Sequence, residues 1–491
     1  MSMIQVENLT YRYPGSSEAV FENVSFQLDS NWKLGLIGRN GRGKTTLMRL
    51  LTGECDSGGA IHTAVQFEYF PRTVSEPLRP AMEVLREICP SAEDWELVCE
   101  LSKLGLEDDV LNQPFSTLSG GEQTRSLLAA MFLNEGRFLL IDEPTNHLDA
   151  AGRAQLAEYL RRKRGFILAS HDRALLDGCV DHILSINRAG IEVQAGNYSS
   201  WRLNFDRQQA FEQARDAQLR RDIGRMKEAA RQSADWSDRV EATKGVRVAG
   251  LKPDKGRIGH KAAKMMQRSK SIEARREQAI EEKAALLKNA EKSEPLKLTP
   301  LVHHAQRLLE LRDVRIHYDD RQICGPLTLE LMQGERVCLE GRNGSGKSSL
   351  LRLILGEDVP HEGRIVLASG LIVSYVPQSG AQLRGSLSDF ARNRSVDGTL
   401  LRTILRKLGF ERAQFERDMA EYSQGQRKKA LIAASLCQRA QLYLWDEPLN
   451  YIDIDSRLQI EALLRASQPT MLFVEHDAAF QRAVATRTLQ L

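Results

Sequence analysis

A chain of 491 residues, 42% hydrophobic and 27% charged, has an ordinary globular composition and room for two or three domains that each bury a core. With 68 Lys and Arg against 65 Asp and Glu the net charge is only +3, so overall charge does not point to a polyanion partner. Seven scattered cysteines, never in a C-x-x-C pair, argue against a disulfide or zinc framework and for reduced thiols in a cytoplasmic protein. The opening Met1-Ser-Met-Ile-Gln-Val-Glu7 lacks the pattern of a signal peptide, and no run of about 18 apolar residues is present to span a bilayer.

In chain order, the apolar run Leu34-Gly-Leu-Ile-Gly38 leads into Gly38-Arg-Asn-Gly-Arg-Gly-Lys44-Thr45. A G-x-x-x-x-G-K-[ST] sequence between a strand and a helix is a phosphate-binding loop. Gly38, Asn40, Gly41 and Gly43 let backbone N–H groups wrap the phosphates at a helix N-terminus. Lys44 would reach the β- and γ-phosphates, Thr45 would ligate Mg2+, and Thr46 completes the nucleotide-binding stretch. Further on, Phe138-Leu-Leu-Ile-Asp142 is a buried strand ending in an acid. Asp142 suits the metal, and Glu143 is placed to polarise the attacking water. His171 follows a second apolar strand, Phe166-Ile-Leu-Ala169, and is assigned a γ-phosphate contact.

Residues 201–305 occur once, between two copies of everything else. They read as a helix, a glycine-containing loop and a second helix. Leu219, Ile223, Met226 and Ala230 form one apolar seam, and Met265, Ile272, Ala279 and Leu286 another, which predicts an antiparallel hairpin. About 40 residues per helix give a rod of roughly 60 Å. From Trp236 to Arg276 there are twelve Lys or Arg against four Asp or Glu, a local +8. Such a patch suits a polyanion, and folded RNA read by shape and phosphate contact is the class it fits.

The second copy, 306–491, holds register with the first (1–200) at offsets of 303 to 305. Gly341, Asn343, Gly344, Gly346, Lys347, Ser348 and Ser349 repeat the phosphate loop. Asp446 and Glu447 repeat the acid pair, and His476 repeats His171. Strands alternating with helices in each half predict α/β folding in two tandem nucleotide-binding domains joined by a helical-hairpin linker. Catalysis is expected from Glu143, Glu447, His171 and His476 on a nucleotide's phosphates, with Mg2+ held by Thr45, Asp142, Ser348 and Asp446.

These motifs resemble those of ATP-binding cassette ATPases, whose signature sequence here is Leu118-Ser119-Gly120-Gly121-Glu122-Gln123. The resemblance covers both copies. It implies that the cassettes close head to tail, so that each phosphate loop meets the other copy's signature. One site then combines Lys347, Gln378, Glu447 and His476 with Ser119, Gly120, Gly121 and Glu122. The other combines Lys44, Glu143 and His171 with an altered signature, Ser423-Gln-Gly425-Gln426. The resemblance also implies adenine stacking on Tyr13 and Tyr318 and a metal contact from Gln378. Arg72 stands where the first copy would carry that glutamine. With a glycine lost and an arginine gained, the Lys44 site is expected to turn over more slowly.

Tandem cassettes around a basic helical insert resemble the ABC-F proteins. The linker sequence Gly259-His-Lys-Ala-Ala-Lys264-Met-Met, the Ser-Gln-Gly-Gln signature and Trp445-Asp-Glu-Pro-Leu-Asn-Tyr-Ile-Asp453 are similar to those of the Lsa-type antibiotic-resistance branch. That resemblance implies a monomer that binds the exit site of the bacterial ribosome when ATP closes it. Its linker tip, residues 243–257, would then reach the peptidyl-transferase rRNA, displace P-site tRNA and dislodge lincosamides, streptogramin A compounds and pleuromutilins. Lys244, Val246, Arg247, Lys252, Lys255, Arg257, Lys261 and Lys264 are the expected ribosome contacts. Two alternatives stand beside it: an ABC-F factor that rescues stalled ribosomes without a resistance role, and the ATPase subunit of a membrane transporter.

Overall fold

A computed structural model describes residues 3–15, 19–146, 148–187, 190–243, 296–318 and 321–491. Its contacts divide the chain into two units, Met1–Trp201 with Glu294–Leu491, and Arg202–Ser293.

The first unit contains both repeated halves. In the first half the strands are β1 (Met3–Tyr11), β2 (Phe21–Asp29), β3 (Lys33–Ile37), β4 (Gly58–His62), β5 (Gln66–Phe70), β6 (Arg137–Asp142), β7 (Phe166–Ala169), β8 (His182–Asn187) and β9 (Gly190–Ala195). They form a six-stranded sheet in the order β5-β6-β7-β3-β8-β9 and a three-stranded sheet β2-β1-β4. In the second half the strands are β10 (Arg307–Tyr318), β11 (Arg321–Met332), β12 (Arg336–Glu340), β13 (His361–Leu367), β14 (Val373–Val376), β15 (Leu442–Asp446), β16 (Met471–Val474) and β17 (Arg487–Gln490). These repeat the pattern as β14-β15-β16-β12-β17 and β11-β10-β13.

The central strands are parallel because both of their faces are apolar and both are covered. Along β6 and β7, Leu139, Ile141, Phe166 and Leu168 enter a core under the helices. Their neighbours Phe138, Leu140, Ile167 and Ala169 enter a second core under the small antiparallel sheet. Tyr443, Trp445, Met471 and Phe473 against Leu442, Leu444, Leu472 and Val474 repeat this alternation in the second half. Parallel register aligns the strand ends: Asp142 lies beside Ala169 and Asp446 beside Val474. The carboxyl edges of such sheets are where ligands bind.

The insert begins on one uninterrupted helix, Tyr198–Thr243, of 46 residues, about 69 Å long at 1.5 Å per residue. The side chains of Leu219, Ile223, Met226 and Ala230 lie outside the described residues. So do the second helix of the expected hairpin and the eight expected ribosome contacts from Lys244 to Lys264. Residues 296–305, assigned to the linker on sequence, pack on the second half instead. Leu296 is buried with its core, Leu301 N–H donates to Ala440 O at 2.9 Å, and His303 N–H donates to Gln333 Oε1 at 2.7 Å. No described helix is long and apolar enough to cross a membrane.

Candidate active site

Each phosphate loop leaves the carboxyl end of a central strand and turns into a helix, Lys44–Leu51 or Lys347–Ile354. Gly43 and Gly346 make that turn at φ +92° and +87°, a region costly to any residue with a Cβ. A Cβ would also stand 2.6 Å from Val20 Cγ1 at the first and 2.9 Å from Cys324 Cβ at the second. Lys44 Nζ donates to Gly38 O (2.7 Å) and Asn40 Oδ1 (3.3 Å). Lys347 Nζ donates to Gly341 O and Arg342 O, both at 2.8 Å. Burial lowers the pKa of both amino groups, and nearby carboxylates, led by Glu143 and Glu447 respectively, oppose the shift.

At both sites the proposed hydroxyl and aspartate metal ligands pair, while Gln378 hydrogen-bonds Glu447. Thr45 Oγ1 donates to Asp142 Oδ2 at 2.8 Å, and Tyr69 OH donates to the same oxygen at 3.0 Å. Ser348 hydrogen-bonds Asp446, whose carboxyl burial raises in pKa. Asp446 Oδ1 is buried and has no hydrogen-bond partner among the described residues. A hydroxyl, a carboxylate and an unsatisfied acceptor fit a hard divalent cation that takes its remaining ligands from phosphate and water. Accordingly, no group of three or more His, Cys, Asp or Glu among the described residues could hold a metal alone. Bound there, Mg2+ would offset the charge on the β- and γ-phosphates.

Glu143 and Glu447 follow at φ +50° and +43°, uncommon for a non-glycine residue and a mark of over-determined local structure. Their N–H groups donate to Ala169 O (2.9 Å) and Val474 O (3.0 Å), pinning each turn to the neighbouring strand. His171 Nε2 stands 3.3 Å from Glu143 Oε1, and His476 Nε2 stands 3.6 Å from Glu447 Oε1. The two acids differ electrostatically. Burial, reinforced by Asp142, pushes Glu143 up to about 7 against the pull of Lys44 and Arg457. Burial also acts on Glu447, but His476, Gln378 and Lys428 outweigh it and hold that carboxyl at about 2. Asn450 Nδ2 donates to Glu447 Oε2 at 2.6 Å. His171 is kept well below the usual histidine range by burial and by the charges of Lys44 and Arg457.

The two halves meet as a head-to-tail pair. Asn40 Nδ2, in the first phosphate loop, donates to Tyr451 O at 3.0 Å. Beside it lies Gly425 of the second signature, where a Cβ would be 2.5 Å from Tyr451 O and 3.0 Å from Asn40 Nδ2. Arg173 crosses to Glu461 (3.0 Å) and Asp477 (3.6 Å). The charge of Asp453 is felt at Lys44 and that of Asp149 at Lys347. Both signatures start helices through reciprocal caps. Glu122 N–H donates to Ser119 Oγ and Ser119 N–H to Glu122 Oε2, so Gly120 and Gly121 open the helix; Ser423 and Gln426 repeat the arrangement.

Tyr13 and Tyr318 are exposed aromatics beside the loops, with their hydroxyls 2.7 Å from Thr46 Oγ1 and 3.2 Å from Ser349 Oγ. Arg72 departs from expectation. Its guanidinium pairs with Glu68 at 3.2 Å, and Tyr69 is what reaches Asp142. Glu68, four residues back on β5, pairs with the arginine, which lies just beyond that strand's end. Sequence reasoning also missed the Tyr451 carbonyl and Arg457, whose roles depend on contacts between the halves.

The family model described as ABC transporter matches residues 21–146 and 324–450. The probable ATP-binding protein YheS of Escherichia coli K12 is 29% identical over 510 residues, 94% of this chain and 75% of that one. The ribosome protection protein VmlR of Bacillus subtilis strain 168 is 26% identical over 482 residues, 97% of this chain and 84% of that one. Among solved structures, the archaeal ribosome recycling factor aABCE1, in complex with the ribosomal stalk protein aP1, superposes with a TM-score of 0.65. At 20% identity it covers 98% of this chain and 87% of its own, which supports the fold.

Proposed function

The chain belongs to the ABC transporter family, and from that premise we propose that it is an ABC-F ATPase that binds the ribosome with ATP and protects it from drugs at the peptidyl-transferase centre. Its two ATPase domains trap nucleotide between phosphate loop and opposing signature, and Glu143 and Glu447 accept the proton of the attacking water. Closure holds the basic insert against rRNA and P-site tRNA, and hydrolysis releases the protein. The observation that carries this reading is the similarity to a ribosome protection protein over 97% of the chain, basic insert included.

Drug susceptibility tests it. Cells expressing the chain should tolerate lincosamides, streptogramin A compounds and pleuromutilins. A Lys347→Ala variant, or one lacking residues 243–257, should lose that tolerance, and the deletion should leave ATP hydrolysis largely intact. Unchanged sensitivity in cells making the intact chain would remove the resistance role and leave a ribosome-acting ATPase.

A further inference from the structure

The duplication is not faithful behind the second site. Lys428 occupies the register of Thr124, and Glu475 that of Ser170. One half therefore carries a cation and an anion where the other carries two small hydroxyls. Lys428 and Glu475 are each only 2% exposed, and burying either charge alone is costly.

Both are fully engaged with backbone. Lys428 Nζ donates to Pro377 O (3.0 Å), Asp446 O (3.2 Å) and Glu447 O (2.8 Å). Glu475 Oε1 accepts from Leu449 N–H (2.7 Å), and Oε2 accepts from His476 N–H (3.1 Å). Pro377 immediately precedes Gln378. Leu449 lies two residues before Tyr451, the carbonyl that receives Asn40 of the other half. Five backbone groups, in the loops bearing Gln378, the acid pair and His476, are thus tied by two side chains. Pinning the Glu447 carbonyl also fixes a peptide in the left-handed region, which no glycine relieves. In the first half, Ser170 serves its own turn, its Oγ accepting from Asp172 N–H at 3.1 Å.

We propose that Lys428 and Glu475 are positioning residues that brace Gln378, Glu447 and His476 for γ-phosphate cleavage at the Lys347 site, a support the Lys44 site lacks. The inference needs only the ATPase activity and stands apart from the ribosomal reading.

The test is a double substitution, Lys428→Thr with Glu475→Ser, which installs the first half's residues and removes both charges together. It is made in the full chain carrying Glu143→Gln, so that turnover reports the Lys347 site, and again in the chain carrying Glu447→Gln. In the first background kcat should fall about tenfold or more, while KM and the Kd for a fluorescent ATP analogue stay within about threefold, the signature of lost transition-state positioning. That loss should exceed the loss in the Glu447→Gln background at least about fivefold. If the double variant fails to bind the analogue, Lys428→Gln, which keeps a donor and drops the charge, is measured by the same criteria. A kcat within about twofold of its parent, a loss confined to KM, or equal losses in both backgrounds overturns the proposal.

Discussion

The two acids proposed as catalytic, one carboxyl pushed up to about 7 and the other held at about 2, should give the two sites different pH dependences. The perturbation is to silence one site at a time. With Glu447→Gln, turnover at the Lys44 site depends on Glu143 being ionised to accept a proton. A carboxyl at about 7 is about 9% ionised at pH 6 and about 91% at pH 8, so kcat/KM should climb about tenfold over that interval. At pH 7 roughly half of the sites should hold a protonated acid, a factor of about two against the Lys44 site near neutrality. With Glu143→Gln, the remaining acid is ionised throughout, and kcat/KM should be flat over the same range. The ratio kcat/KM is the quantity to follow because it reports the free enzyme, in which these environments exist. A flat profile in the Glu447→Gln chain, or a rise in the Glu143→Gln chain, would refute the assignment of the difference to burial and Asp142 on one side and His476, Gln378 and Lys428 on the other.

Gly425→Ala should slow ATP turnover by about tenfold or more, because its methyl would press on Tyr451 O and Asn40 at the junction of the halves; an ATPase rate within twofold of the parent would show that the junction yields easily. Arg173→Ala leaves Glu461 and part of Asp477 without a cation at the same junction. It should cost about 1–3 kcal/mol, read as a lower thermal unfolding midpoint. Glu100→Gln removes the charge that accepts from Tyr159 OH (2.5 Å), Lys103 (2.6 Å) and Lys163 (2.5 Å). Burial raises the Glu100 pKa, but those three partners outweigh it and set it below the ordinary value. Its contribution is therefore present above the unfolded-state pKa and lost as pH falls through the folded one. Parent and variant should differ in unfolding midpoint at neutral pH and converge in acid; a constant gap would contradict this.

The sequence makes the chemistry legible wherever it is local. A strand that must be apolar on both faces and then end in an acid reveals β6 with Asp142 and β15 with Asp446. A loop that must wrap phosphate reveals its glycines. Repetition at a fixed offset separates these motifs from chance. What could not be read depends on contacts distant in the chain or on backbone conformation. Asn40 and Tyr451 are 411 residues apart, and nothing in either neighbourhood announces the other. The left-handed turns at Glu143 and Glu447 run against the preferences of glutamate, and the adjacent strands help hold them through their N–H groups. Arg72 invites a role at the metal, but its guanidinium pairs with Glu68 of β5, just before it in the chain. Lys428 and Glu475 were legible in principle as departures from the repeat, but only burial shows that they matter.

The central claim is that ATP, by closing the two halves, commits the chain to the ribosome through its basic insert. Co-sedimentation of the full chain carrying both Glu143→Gln and Glu447→Gln with bacterial ribosomes, with and without ATP, measures this directly. The account predicts a pellet that contains the protein only with ATP, and much less of it at raised salt as phosphate contacts are screened. Equal amounts in the supernatant with and without ATP, or recovery with membranes in place of ribosomes, would contradict it.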